Sequence, residues 1–390
     1  MKGRDTRGRT LQLVYGGLVF FISFGVYLRT LSPTVGFVDS GELTTVAYTL
    51  GIAHPTGYPL YTLLSRLFTL IPFGSIAWRV NLASAFFASL AVLFVYLLSK
   101  ILLDNRTGRE GFTATATATA TALLFSFSST LWSQAVVAEV YSLTAFLSSL
   151  LLYLVVRFTN NESREGVLRL RRIEPLLFFF IFGLSLGNHM TILTVAIPCV
   201  IYLFLKSKAV SGQRPAVSHL TFNILHFSFF ILLGLSLYLY LPIRSSQDPI
   251  LNWGEPKTLT QFFWHISGKQ YKVWFLSSSP SVLIQHLQQF LKIWFDQFTP
   301  YLLPLCILGI FLLFIKSKGI GLLLLSIFLL NLFYGINYDI PDIDAFFLPL
   351  FFITAIWVGG GILIIMSVLP KGFSLLFVLL PLIPMISHFG

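Results

Sequence analysis

FFLPLFFITAIWVGGGILIIMS, residues 346–367, carries no charged side chain. An α-helix rises about 1.5 Å per residue, so this stretch can cross the ~30 Å of hydrocarbon in a bilayer. Working outward, comparable apolar stretches fall at about residues 11–28, 80–98, 112–130, 139–157, 175–188, 190–205, 221–241, 299–315, 319–337 and 373–388. The pattern predicts an all-α polytopic membrane protein with about eleven transmembrane helices. The composition agrees. Of 390 residues, 56% are hydrophobic and 11% are charged, against about 25% charged in a soluble domain. So few charges cannot solvate a globule of this size, and lipid must cover much of the surface. Residues 1–390 therefore read as a single transmembrane domain. The first apolar stretch lacks a small-residue cleavage site and reads as an uncleaved helix.

The net charge of +11 does not point to nucleic acid, because the basic residues sit in short segments between spans. Placing Lys2, Arg4, Arg7 and Arg9 in the cytoplasm puts most of the other Lys and Arg residues there too, as orientation by basic loops requires. Two long segments then face outward. The first, residues 29–79, holds two amphipathic stretches, 42–50 and 58–72, expected to lie along the interface as short helices. The second, residues 242–298, contains Trp253, Trp264, Trp274 and Trp294, which suit the headgroup level. Cys199 and Cys306 fall inside spans with no metal-ligand spacing, so neither a metal site nor a disulfide is expected from them. The Thr–Ala alternation from Thr113 to Ala122 cannot be a strand in lipid and reads as a small-residue packing surface.

The acids divide by side. Asp5, Asp104, Glu110, Glu162, Glu165 and Glu174 lie among inner basic residues and read as solvated. Asp39 and Glu42 are flanked by apolar residues, Glu139 sits at the mouth of a span, and Asp339, Asp342 and Asp344 cluster between two spans. A carboxylate near hydrocarbon is costly unless paired, so such residues mark candidate sites. A plainer reading stands beside each. Asp39 and Glu42 could form a capping box, Glu139 a structural ion pair, and Asp339 to Asp344 a solvated turn. Arg79, His54, His189, Arg244 and Lys269 are basic residues that could face the same site. Arg244 could bind phosphate through its planar fork or only snorkel to the interface. His189 could serve the site or the core.

These residues fall in a recognisable order. Asp39-Ser40-Gly41-Glu42 precedes His54-Pro55-Thr56-Gly57-Tyr58-Pro59. Arg79-Val80-Asn81, Glu139-Val140-Tyr141, Gly187-Asn188-His189 and Tyr240-Leu241-Pro242-Ile243-Arg244 follow. The series resembles the multispan family that includes the eukaryotic transmembrane O-mannosyltransferase of plexin-type receptors, within the GT-C glycosyltransferase superfamily. The resemblance implies an inverting, lipid-phosphate-sugar-dependent hexosyltransferase at the non-cytoplasmic face of a cell membrane. Its donor would be a polyprenyl-phosphate sugar, with mannose suggested, and its acceptor a hydroxyl on protein or glycolipid. Asp39 matches the family's catalytic acid, with Glu42 close behind. His54, Tyr58, Arg79, Glu139, Tyr141, His189 and Arg244 become candidate substrate-binding residues. Arg244 and His189 are the expected cations for the phosphate. A divalent metal ion is a candidate cofactor, with Asp39, Glu42 and Glu139 as its candidate ligands. The rival reading from another class is a transporter or flippase, which would place its binding groups near the midplane.

Overall fold

The computed structural model describes residues 2–103, 111–165, 173–211, 217–298, 300–340, 342–369 and 376–388. Among them the regular structure is helical. In chain order the α-helices are α1 (Lys2–Arg29), α2 (Ser40–Thr49), α3 (Pro59–Thr69), α4 (Ile76–Leu103), α5 (Gly111–Ser126) and α6 (Ser129–Ala135). Next come α7 (Tyr141–Glu165), α8 (Ile173–Leu186), α9 (Leu193–Ser211), α10 (Val217–Leu235), α11 (Tyr240–Ser245) and α12 (Leu259–Ile266). The last are α13 (Pro280–Phe298), α14 (Pro304–Lys316), α15 (Lys318–Ile336), α16 (Leu348–Val368) and α17 (Leu382–His388). Six helical segments among the described residues are long and apolar enough to cross a membrane. A seventh is added if α13 and α14, which meet at 86°, count as one broken span. Three shorter apolar segments, 173–186, 190–206 and 376–388, fall where spans were expected.

Small residues set how closely the helices approach. α4 buries Ala83, Ser84, Ala85, Ala88, Ser89 and Ala91 and packs against α1, α5 and α7. α8 and α10 cross at Gly183 and Gly234, where a Cβ on either glycine would overlap the backbone of the other helix. α14 and α16 meet in the same way through Gly309, Gly360 and Gly361. With no water to expel between helices in lipid, contact of this closeness is the main source of their association.

The Thr–Ala tract lies in α5 and packs as expected. Thr119 and Thr121 return their hydroxyls to the carbonyls of Thr115 and Thr117 at 2.9 Å, and the helix packs on α4 and α16. Gly187-Asn188-His189 lies in the break between α8 and α9, where the apolar stretches 175–188 and 190–205 meet. The helices it joins share α7 as a neighbour, α8 packing against α10 and α7 and α9 against α7 and α15.

The two amphipathic stretches are the short helices α2 and α3. The segment expected as a second long loop is largely helical, with α12 and the 19-residue α13. In α13, Ile284, Leu287, Leu291 and Phe295 are exposed, whereas Phe290 and Gln297 are buried, so its two faces differ in kind.

Candidate active site

The N-terminus of α2 brings the first acid into position. Asp39 precedes the helix in the N-cap position, yet its side chain makes no capping bond. Its backbone carbonyl accepts from Leu43 N–H at 2.8 Å, and its carboxylate faces a cavity of about 670 Å³. Glu42 does not close a capping box either. It reaches the next turn of chain, where Oε1 accepts from the His54 backbone N–H at 2.6 Å and lies 3.2 Å from His54 Nδ1. The capping-box reading of Asp39 and Glu42 therefore fails, and both carboxylates are left for the cavity.

His54 connects the two acids. Its Nε2 lies 2.9 Å from Tyr58 Oη and 3.8 Å from Asp39 Oδ2. Burial alone would lower the His54 pKa, but the Glu42 hydrogen bond and the Glu42 and Asp39 charges outweigh it and raise it. Burial would raise the Glu42 pKa, and the bonds from His54 turn the net shift downward. The Asp39 pKa is raised, chiefly by burial, against the pull of His54. One donor atom from each of Asp39, Glu42 and His54 lies within 4.8 Å of the others, close enough to share a cation. Glu139, the third expected metal ligand, is not in that group, and His54 is.

The other walls come from helix ends. Glu139, Val140 and Tyr141 open α7, and Met190 and Leu193 open the α9 segment. Tyr334 and Tyr338 close α15, and Phe346 leads into α16. Trp253, Tyr271, Lys272, Trp274 and Phe275 cover the cavity from the segment before α13. An isolated bridge joins Phe275 to Tyr338, and another joins Ile52 to Asn252. The cavity thus sits at one end of the bundle. Lys100, Arg157, Lys206 and Lys316 lie at the far ends of α4, α7, α9 and α14.

Asp39, Glu42, His54, Tyr58, Glu139, Tyr141 and His189 all line this one cavity. Arg79 and Arg244 do not. Arg79 gives its donors to the carbonyls of Phe73, Gly74 and Thr69, closing the turn after α3. Arg244 donates to the carbonyls of Leu50 and Thr49, clasping the C-terminal end of α2, where a cation is favoured. His189 lines the cavity but cannot be its cation. Its Nδ1 accepts from Thr191 N–H at 3.3 Å, which leaves the proton on Nε2. Burial lowers its pKa to about 3, with His54 adding to the effect.

Among the described lining residues the one Lys or Arg is Lys272. Nothing in its local sequence separates it from Lys269, which lies over the Trp264 ring instead at 3.4 Å. Of the acidic cluster after α15, Asp339 and Asp342 line the cavity. Asp339 also pairs with His286 at 3.5 Å. Asp344 does not line the cavity, and its side chain bonds Gln289.

Several motif residues act as ties between walls. Asn81 donates to the carbonyls of Ser32 and Thr34, each at 2.9 Å, and so fixes the approach to Asp39. Asn188 donates to Val140 O and Thr144 Oγ1, holding the first turn of α7. Tyr240 Oη donates to Gly51 O at 2.8 Å. Gly57, with φ +86°, lies so close to His265 and Leu241 that a side chain there would need both to move.

The chain matches several known proteins. Residues 39–211 match the family described as the protein O-mannosyl-transferase TMEM260 N-terminal domain. The mouse protein O-mannosyl-transferase TMEM260 is 35% identical over 270 residues, covering 68% of this chain and 35% of that protein. The Dictyostelium discoideum counterpart is 28% identical over 264 residues, covering 65% of this chain and 30% of its own length. The chain thus spans about a third of the length of these relatives. In fold it is similar to ArnT from Cupriavidus metallidurans, solved bound to undecaprenyl phosphate. The TM-score is 0.57 at 12% identity, over 94% of this chain and 62% of that one. It is also similar to the Archaeoglobus fulgidus oligosaccharyltransferase, solved with Zn and sulfate. There the TM-score is 0.52 at 13% identity, over 95% of this chain and 52% of the other. The fold is that of polytopic GT-C membrane enzymes.

Proposed function

From a chain similar to the TMEM260 protein O-mannosyl-transferases and folded like GT-C membrane enzymes, we propose a membrane glycosyltransferase. It moves a sugar from a polyprenyl-phosphate donor to an acceptor hydroxyl. The names of the relatives support mannose as the sugar and protein as the acceptor. The observation that carries the reading is the uncapped Asp39 carboxylate, facing a cavity it shares with Glu42, His54, Glu139 and Lys272.

The chemistry is an inverting displacement. The acceptor oxygen attacks the anomeric carbon, the bond from that carbon to the phosphate oxygen breaks, and the phosphate leaves with the bonding pair. Asp39 takes the acceptor proton, and its burial-raised pKa makes it a better base. Lys272 and His54 are the cations suited to the charge that grows on the phosphate. The N-terminal ends of α7 and α9 also meet the cavity, and helix N-termini favour anions. With His54 neutral, its imidazole and the two carboxylates of Asp39 and Glu42 would suit a divalent cation, which would then take the place of the imidazolium charge. Such an ion would neutralise phosphate charge. If it takes part, chelation lowers turnover and added Mg²⁺ or Mn²⁺ restores it.

The cavity belongs to the non-cytoplasmic face. The basic residues at the opposite helix ends support that orientation. Gathering of the ionisable groups at one end also suits work on a lipid headgroup better than passage through the midplane. The test is incubation of purified protein with labelled polyprenyl-phosphate mannose and acceptor extract. Asp39→Asn should lower transfer by about 10²–10⁴-fold. Undiminished transfer by a normally inserted variant rejects Asp39 as the base.

A further inference from the structure

Glu139 stands in different surroundings from Asp39 and Glu42. It is 8% exposed yet lines the cavity. Glu42 has His54 beside it, but among the described residues no Lys, Arg or His nitrogen pairs with the Glu139 carboxylate. The charged groups that face it are acids: Asp39 and Glu42 from α2, and Asp342 from the turn after α15. Tyr58, Tyr61 and Tyr141 are its ionisable neighbours from the 54–58 turn, α3 and α7, and all three are buried. Its backbone N–H meets Ser84 Oγ of α4 at 3.4 Å. One interaction favours the anion, a hydrogen bond from the backbone of Val140 at the start of α7. Burial and the neighbouring acids outweigh it and push the Glu139 pKa up to about 9.

The charge of the whole cavity gives this a purpose. Asp39, Glu42, Glu139, Asp339 and Asp342 line it, against Lys272 and His54. A phosphate entering among five ionised carboxylates would meet strong repulsion at low effective dielectric. Keeping a proton on the most enclosed of these acids removes one charge and leaves an O–H group in the wall. A carboxylic acid held neutral in an apolar site can serve as a hydrogen-bond donor.

We propose that Glu139 works as a neutral carboxylic acid whose O–H donates a hydrogen bond to an oxygen of the bound sugar phosphate. This rests on the glycosyl-transfer reading, and it excludes Glu139 as an anionic metal ligand. The role is one of binding and needs no proton transfer. Glutamine has nearly the same shape and also donates, so it can stand in for a neutral acid but not for a carboxylate.

The test uses the full chain in nanodiscs with undecaprenyl phosphate as the probe. Glu139→Gln should keep wild-type affinity within about twofold, and Glu139→Ala should weaken it about tenfold or more. Wild-type affinity should fall as pH rises through about 9, and that fall should be absent in Glu139→Gln. Infrared spectra near neutral pH give a readout independent of binding. A protonated-carboxyl band present in the wild type should be lost in Glu139→Gln. A wild type that binds the probe, with Glu139→Gln as weak as Glu139→Ala or with no difference in the infrared band, overturns the inference alone. A wild type that does not bind the probe overturns the donor reading, and the hydrogen bond with it.

Discussion

Asn188 shows how much of the site depends on residues that never touch it. It is fully buried, and its amide holds Val140 O and Thr144 Oγ1 at 3.1 and 2.7 Å. Those bonds fix the turn that presents Glu139 and Tyr141. Asn188→Ala removes both bonds while the Val140 carbonyl keeps the Thr144 N–H and hydroxyl, at a cost of about 0.5–1.5 kcal/mol per bond lost. A lower thermal midpoint together with weaker donor binding is the expected result. An unchanged midpoint would show that the tie carries no weight. Residues of this kind were only partly legible in the sequence. Asp39 and Glu42 stood out because carboxylates among apolar neighbours need a reason. Arg79 and Arg244 stood out equally, because a guanidinium satisfied by backbone carbonyls looks the same in one dimension as one awaiting phosphate. Lys272 was overlooked because only the fold distinguishes it from Lys269.

Among the elements, the close crossings depend on glycine. Gly234 of α10 has no room for a side chain against Phe180 and Leu184 of α8. Gly234→Leu must force the helices apart, and overpacking of this kind costs about 1–3 kcal/mol or more. The measurement is thermal stability and monodispersity in detergent, with Gly17→Leu as a control, since nothing lies within 4 Å of a Cβ there. Wild-type behaviour of Gly234→Leu would contradict the crossing. Most of the helices were legible as apolar runs. α13 was not read as a helix because it falls in segment 242–298, whose four tryptophans suggested a stretch resting at headgroup level. The recurrence of Ile284, Leu287, Leu291 and Phe295 at steps of three and four was nonetheless present in the sequence. The bend between α13 and α14 was invisible, since an apolar run reports length and not direction.

For the whole molecule, the sides of the membrane are open to direct test. Cys199 and Cys306 are both buried, so the native background for thiol labelling is low. Ser279→Cys lies at the cavity end and Lys318→Cys at the other, both at exposed positions. In intact cells an impermeant maleimide should label the first and spare the second. The reverse pattern would invert the topology and put the cavity in the cytoplasm. The orientation this labelling tests is the one expected from basic residues that repeat at alternate ends of the spans. The meeting of seven expected residues at one cavity was not, because it depends on loops that join across nearly 200 positions. Arg244 is the clearest of these, since the Leu50 carbonyl it holds lies 194 residues earlier. As the chain leaves the ribosome, α2 must therefore wait for about half the protein to be synthesised before its far end is fastened. A fragment ending at residue 211, where the domain match stops, would carry Asp39 without that fastening. The end of α2 nearest Arg244 is thus secured only once residue 244 is in place.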